Sequence, residues 1–197
     1  MVTHRPVLWN EARWLNEPPR VDFDWDHLMV TTGDRTDFWR TTSYGFIHDN
    51  GHALLAEFPV GCAIEVTYEA ALEALFDQAG VMVRVDARTW VKAGVELSDG
   101  VPQLGAVATR DFSDWSMAPA REWIKTPITV RASRSGDALT IRARKDRGPW
   151  QMVRVTPLDP DAAATAGPFC CSPTRAGLVV RFTRFIRGPA DARLHDD

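Results

Sequence analysis

Gln78-Ala79-Gly80-Val81-Met82-Val83-Arg84-Val85 and Trp90-Val91-Lys92-Ala93-Gly94-Val95-Glu96-Leu97, joined by Asp86-Ala87-Arg88-Thr89, decide the fold. In each segment one alternate set is apolar: Ala79, Val81, Val83 and Val85, then Val91, Ala93, Val95 and Leu97. The other set is Gln78, Gly80, Met82 and Arg84, then Trp90, Lys92, Gly94 and Glu96. Successive side chains of a β-strand point to opposite sides of its sheet, so the first sets face a core and the second sets face out. If the two strands are neighbours, the outer sets form one continuous surface.

The same short period recurs along the chain. Residues 21–25, 28–32, 44–48, 53–58, 63–68, 104–109, 128–133, 139–144, 152–155 and 178–185 read as further strands separated by Gly, Pro, Asp and Asn turns. Asp49-Asn50-Gly51 predicts a hairpin between the strands on either side of it, with His48 and His52 facing each other across it. Short, regularly spaced strands indicate an all-β sandwich or barrel rather than an α/β sheet. Two stretches differ. Tyr68-Glu69-Ala70-Ala71-Leu72-Glu73-Ala74-Leu75 consists largely of strong helix formers and reads as one or two helical turns or an extended loop, being too short for an independent helix. A second helical turn is expected within residues 161–166. The organisation expected is one domain over residues 1–188 and a loose, charged tail over 189–197.

Length and composition agree with one soluble globular domain: 197 residues, 45% hydrophobic and 25% charged. A net charge of −3 argues against a dedicated nucleic-acid binder. No apolar run is long enough to cross a bilayer as a helix. The start, Met1-Val2-Thr3-His4-Arg5-Pro6, lacks the apolar stretch of a secretory signal, so a cytoplasmic protein is expected. Cys62, Cys170 and Cys171 have neither disulfide-framework nor zinc-site spacing and read as buried small hydrophobes. Nothing implies a cofactor or a metal site, and a homodimer is compatible with the sequence.

The outer surface of the two central strands carries Gln78, Met82, Arg84, Trp90, Lys92 and Glu96 over small glycines. That mixture can hydrogen-bond hydroxyls or a carboxylate while stacking an apolar ring face; a solvated sheet face laced by a Lys92–Glu96 or Arg84–Glu96 pair is the plainer reading. Gly80 and Gly94 point to close approach by a ligand or by another backbone. Thr36-Asp37-Phe38-Trp39-Arg40-Thr41-Thr42-Ser43-Tyr44-Gly45-Phe46 and Arg110-Asp111-Phe112-Ser113-Asp114-Trp115-Ser116 set aromatics among polar side chains, as pocket rims and self-pinned loops both do. Eight tryptophans are well above average usage, and the flat indole suits sugar stacking as well as cores. The nucleophile elbow, phosphate loop, dinucleotide fingerprint and zinc-protease helix are all missing. Glu96 with Asp114 or Asp37 could supply the two carboxylates of a glycosidase. Lys92 shares the face of Glu96, however, and is expected to keep it ionised, which suits an anchor better than an acid.

Leu15-Asn16-Glu17-Pro18-Pro19, Thr36-Asp37-Phe38-Trp39, Tyr44-Gly45-Phe46 and Phe76-Asp77-Gln78-Ala79-Gly80-Val81-Met82-Val83-Arg84 occur in that order. Trp90-Val91-Lys92-Ala93-Gly94-Val95-Glu96, Ser113-Asp114-Trp115-Ser116 and Ser172-Pro173 follow. Together they resemble the uncharacterised "regulation of enolase" family, a domain-of-unknown-function group with a concanavalin A-like jelly-roll sandwich. The resemblance implies two antiparallel sheets with a cleft on a concave face, where Gln78, Arg84, Lys92 and Glu96 would lie near Trp39, Tyr44 and Trp115. It supplies no reaction; related sandwiches include lectins and glucanases, so a saccharide-like ligand follows by analogy of fold. The candidate ligand-binding set is therefore Asp37, Trp39, Tyr44, Gln78, Met82, Arg84, Trp90, Lys92, Glu96, Asp114 and Trp115. The expected function is binding of a small carbohydrate or sugar-derived metabolite. The alternatives are a sugar-directed hydrolase, lyase or isomerase with Glu96 or Asp114 as acid/base, and a protein-interaction module. Sequence does not decide between binding and catalysis.

Overall fold

The alternation at 79–85 and 91–97 demands an apolar partner on one side of the sheet, and a computed structural model describing residues 3–123 and 125–195 supplies it. In chain order the strands are β1 (Arg5–Pro6), β2 (Arg13–Leu15), β3 (Arg20–Asp24), β4 (His27–Thr31), β5 (Phe38–Arg40) and β6 (Ile47–Asp49). β7 (His52–Glu57), β8 (Cys62–Ala70), β9 (Gln78–Arg84), β10 (Thr89–Ser98), β11 (Val101–Arg110) and β12 (Phe112–Pro119) follow. The rest are β13 (Ile128–Ser135), β14 (Ala138–Lys145), β15 (Gln151–Pro157), β16 (Thr165–Cys171) and β17 (Val179–Pro189).

All pairings are antiparallel, and they make a two-sheet sandwich. One sheet runs β15-β14-β13-β8-β17-β4-β3 with β1 added on β17; the other runs β12-β11-β10-β9-β16-β7-β2. Val81 and Val83 of β9 and Val91, Ala93 and Val95 of β10 meet Ile64, Val66, Val130, Ile141 and Phe182 of the opposite sheet in one continuous core. Each large side chain so buried contributes roughly 1.5–3 kcal/mol relative to exposure. The two central strands are neighbours in the register that joins their outer faces, with Glu96 opposite Gln78, Lys92 opposite Met82 and Trp90 opposite Arg84. Cys62, Cys170 and Cys171 are buried free thiols.

The outer face of the seven-stranded sheet is not open along its length. The β5–β6 hairpin lies against it and closes a second, smaller core of Phe38, Trp39, Met82, Trp90, Val107 and Phe169. Met82 and Trp90, expected on the floor of a cleft, are 0% and 2% exposed within it. Both are apolar, and the hairpin offers Phe38 to cover them, its ring centroid 6.1 Å from that of Trp90.

Several local expectations need correction. Asn50-Gly51 does not make a hairpin: β6 pairs with β5, whereas β7 pairs with β2 and β16. The backbone N–H groups of Asn50 and Gly51 both donate to the carbonyl of Asp37, so the segment is a corner between two layers. His48 and His52 therefore do not face each other. His52 is buried, accepting the Gly33 N–H at Nε2 with Nδ1 2.8 Å from the Asn16 carbonyl. Residues 68–75 form no helix. Tyr68 is fully buried in β8, between Ile128 of β13 and Phe182 of β17, and tertiary packing overrides helix propensity there. Nor does 161–166 form a helical turn: the buried Arg134 guanidinium donates to the carbonyls of Asp159, Pro160 and Ala162, and β16 starts at Thr165. Beyond β17, Asp191 receives Arg131 and Arg142 on its carboxylate and donates its N–H to Ser133 Oγ. No helix among the described residues is long and apolar enough to cross a membrane.

Candidate functional site

Three strands and a hairpin build the site. β9 and β10 present Gln78, Lys92 and Glu96 on the outer face; β12 brings Trp115 opposite Val107 of β11; and the β5–β6 hairpin carries Trp39 opposite His48. Between hairpin and sheet lies a cavity of about 410 Å³ walled by Trp39, Tyr44, Phe46, Phe76 and Trp115, with Asp37, Gln78, Lys92 and Glu96 among its polar groups beside Arg35, His48 and Thr174. Its size is that of a small-molecule site, mostly apolar with a few convergent polar groups.

The polar floor is unusual for its burial. Lys92 is 4% exposed, and its ammonium donates to Asp37 Oδ1 at 2.8 Å. The same oxygen accepts the Phe38 N–H at 2.8 Å, fixing the carboxylate at the start of β5. Burial works to strip Lys92 of its proton, but Asp37, Cys171 and Glu96 outweigh it, and the ammonium titrates above its ordinary value. Glu96 behaves in the opposite way. Burial pushes its carboxyl up to about 7, the Lys92 charge opposes this, and Asp37 and Asp99 add to it. Lys92 therefore does not keep Glu96 firmly ionised, because the ammonium is already engaged by Asp37 and desolvation dominates. Glu96 Oε1 is buried with no hydrogen-bond partner among the described residues. A buried oxygen in that state is destabilising by roughly 1–3 kcal/mol until something donates to it.

The aromatic wall is equally ordered. Trp39 meets Trp115 edge-on at 5.9 Å and Tyr44 edge-on at 5.4 Å; its indole N–H donates to the Thr42 carbonyl at 3.0 Å. Tyr44 stacks on Phe46 at 5.4 Å, and Phe46 lies 4.5 Å from His48.

Of the residues singled out in the sequence, Asp37, Trp39, Tyr44, Gln78, Lys92, Glu96 and Trp115 come together around this cavity. Four do not. Met82 and Trp90 lie in the small core beneath it. Arg84 turns away to make a two-pronged ion pair with Asp49 of β6. Asp114 points to the other side of β12, where it pairs with Arg154. Gly80 and Gly94 answer to backbone rather than ligand: a Cβ on either would come within 2.0 Å of a carbonyl oxygen of the neighbouring strand. Sequence reasoning missed Arg35, Phe76, Pro173 and Thr174 as lining residues and read His48 only as half of a histidine pair. Phe76 carried a usable signal in its place two residues before Gln78; Pro173 and Thr174 arrive through the pairing of β16 with β9, which sets Cys171 opposite Gln78, and Arg35 is held by the Asn50 side chain at the corner.

A family described as a protein of unknown function (DUF1349) matches residues 14–189. "Regulation of enolase protein 1" of Saccharomyces cerevisiae is 37% identical over 202 residues, spanning 100% of this chain and 99% of that protein. The crystal structure of a functionally unknown protein from Saccharomyces cerevisiae superposes with a TM-score of 0.89 at 34% identity, over 94% of this chain and 100% of the other. A xylan beta-1,4-xylosidase from Bacillus halodurans matches with a TM-score of 0.71 at 14% identity, over 93% of this chain and 38% of the xylosidase. That last likeness is one of fold.

Proposed function

The chain belongs to the DUF1349 family, and from the cleft it carries we propose that it binds a small carbohydrate or sugar-derived metabolite between the β5–β6 hairpin and the seven-stranded sheet. One observation carries the reading: Glu96, one of whose carboxyl oxygens is buried without a partner among the described residues, lies on the floor of an aromatic-walled cavity. A sugar has the complementary chemistry. Its hydroxyls both donate and accept, and its C–H faces suit flat apolar rings such as Trp39 and Trp115. Lys92 has N–H groups beyond the one it gives to Asp37, Gln78 offers its amide oxygen, and Glu96 can take either role near neutral pH. Because Asp37 already balances the Lys92 charge, a neutral polyol fits the floor better than a strong anion. The xylosidase likeness supports a sugar-handling sandwich at the level of fold.

The test is a fluorescence titration, with Trp39 and Trp115 as reporters, against xylose, arabinose, glucose, galactose and the corresponding uronic acids. A saturable change that disappears in Trp115→Ala and in Lys92→Met is expected. Silence from every sugar at millimolar concentration overturns the proposal.

A second reading is favoured by Glu96 alone. A carboxyl titrating near 7 can give up a proton at neutral pH, the requirement for a general acid acting on a sugar. Asp114, outside the cavity, takes no part. Turnover of any sugar that binds, with a bell-shaped rate profile that collapses in Glu96→Gln while binding persists, is the outcome expected of an enzyme.

A further inference from the structure

We infer that the cleft receives the end segment of an oligosaccharide: one unit over Lys92 and Glu96, the next against the stacked pair Tyr44 and Phe46 at the rim. This rests on the sugar-binding reading above and adds the shape of the ligand.

Three observations carry it. The first is the run of rings Trp115–Trp39–Tyr44–Phe46–His48, each centroid 4.5 to 5.9 Å from the next. Its inner member Trp39 is 6% exposed, while Tyr44 and Phe46 are 50% and 41% exposed. An apolar aromatic surface therefore continues outward past the polar floor. These two rings, stacked on each other and half in water at the cavity wall, leave an apolar surface for a second unit.

The second is how the outer rings are held. Thr41 and Ser43 both adopt left-handed backbone, at φ 62° and 64°, around the turn that presents Tyr44. For non-glycine residues, and above all for β-branched Thr41, that conformation is destabilising and persists only where its surroundings enforce it. Here the Thr41 N–H donates to the Phe46 carbonyl, the Gly45 N–H to the Thr41 carbonyl, and the Trp39 indole to the Thr42 carbonyl. Arg40, the preceding residue, donates its backbone N–H to the Ser113 hydroxyl and its Nε to the Asp111 carbonyl. The outer rings are fixed in advance rather than free to fold onto a ligand.

The third is that the space adjoining the floor under Trp115 is too small for a second unit. Gln78, Lys92, Glu96 and Trp115 also line a separate crevice of about 20 Å³ over Gly94, Gly105 and Met117. That is room for a water molecule and for no sugar unit. A second unit therefore finds no room over Gly94 and Gly105, and finds it beside Tyr44 and Phe46.

The experiment measures affinity by calorimetry against two series, xylose to xylotetraose and glucose to cellotetraose, in the intact protein and in Phe46→Ala and Tyr44→Ala. In at least one series, affinity should rise roughly tenfold, equivalent to about 1.4 kcal/mol, on adding the second unit, and level off by the third. In Phe46→Ala the gain from the second unit should fall below about twofold, with the tyrosine variant behaving alike. Equal affinity for one and for two units, or a gain that survives both substitutions, overturns the inference while leaving the binding function standing. No binding by any member of either series to the intact protein overturns the inference, and joined to silence from arabinose, galactose and the uronic acids it removes the underlying function as well. A dimer that dissociates in Phe46→Ala, with the chain-length gain unaltered, assigns the exposed rings to a second copy of the chain and overturns the inference too.

Discussion

The guanidinium of Arg84 grips both oxygens of the Asp49 carboxylate, at 2.7 and 2.8 Å, and so ties the outer face of β9 to the far strand of the hairpin. Asp49 lies next to His48 and directly opposite Phe38, so this fork holds the hairpin that brings Trp39 and Tyr44 over the cavity. Arg84 is 10% exposed at its side chain and Asp49 33%, so water softens the loss of either partner. Arg84→Met should cost about 1–3 kcal/mol, lowering the melting temperature by several degrees for a chain of this size. It should also weaken any sugar response, because the hairpin loosens although Arg84 touches no ligand. A variant with an unchanged melting temperature and an unchanged titration would show that the fork is incidental.

Lys92 and Asp37 are the more deeply buried pair, at 4% and 14% side-chain exposure. Removing only the cation strands a carboxylate in the second core, so Lys92→Met should destabilise the protein by about 3–5 kcal/mol. Asp37→Asn keeps an acceptor for the Phe38 N–H but leaves the ammonium uncompensated. Combining the two removes both charges, and the double variant should lose clearly less than the sum of the singles. Urea unfolding of all four proteins supplies the cycle. Strict additivity would mean that the two groups do not depend on each other.

Glu96 makes stability depend on pH in a particular direction. Its carboxyl ordinarily titrates near 4.5, and in the folded protein it is pushed up to about 7 by burial. Between those values the folded state holds more protons than the unfolded state, so this group's contribution to stability falls as pH rises through that window and stays lost above it. The whole difference is worth about 3 kcal/mol. Glu96→Gln has no proton to lose. Its stability relative to the parent should therefore improve from pH 4.5 to pH 8, and a parent-minus-variant difference that is flat across that range would contradict the burial of this carboxyl.

How much of this was legible beforehand depends on the kind of interaction. Period-two alternation at 79–85 and 91–97 placed both strands and their two faces correctly, because side-chain direction in a strand is a local property. Lys92, Glu96 and Gln78 follow from that alternation alone. What alternation cannot say is whether an outward side chain meets water, a ligand or a second layer. Met82 and Trp90 point outward as expected and are nonetheless covered, since Phe38 arrives from a hairpin far away in the chain. The same long-range step hid the partners of Arg84 and of Lys92: Asp49 lies on that hairpin and Asp37 immediately before it. Asp114 was misplaced for a simpler reason. The segment at 112–119 is a strand and not a loop, so Asp114 and Trp115, being adjacent, must face opposite ways. Asn50-Gly51 carries a strong local turn signal that here serves packing instead.

That last case gives a direct test, because Gly51 has no positive φ to accommodate and is required only by crowding. A Cβ placed there would lie 2.4 Å from the Phe38 ring and 2.5 Å from Cys171 Sγ, both buried. Gly51→Ala should therefore cost about 1–3 kcal/mol through overpacking. It should also disturb the cleft, since Phe38 supports the hairpin from below. Gly94→Ala meets backbone instead, with the Ala79 carbonyl at 2.0 Å and the Gly80 Cα at 2.8 Å, and neither atom can move without parting β9 from β10. Its cost should reach about 3 kcal/mol or more. The two glycines differ in whether they can be rescued. Cys171→Ala removes one of the atoms that the added methyl group at position 51 would strike, so Gly51→Ala with Cys171→Ala should be more stable than the two single losses added together predict. No comparable side-chain deletion exists for Gly94→Ala. Thermal unfolding of the parent, the three single variants and the double variant separates these expectations, and a Gly51→Ala variant as stable as the parent would mean that the corner at 50–51 is looser than its contacts require.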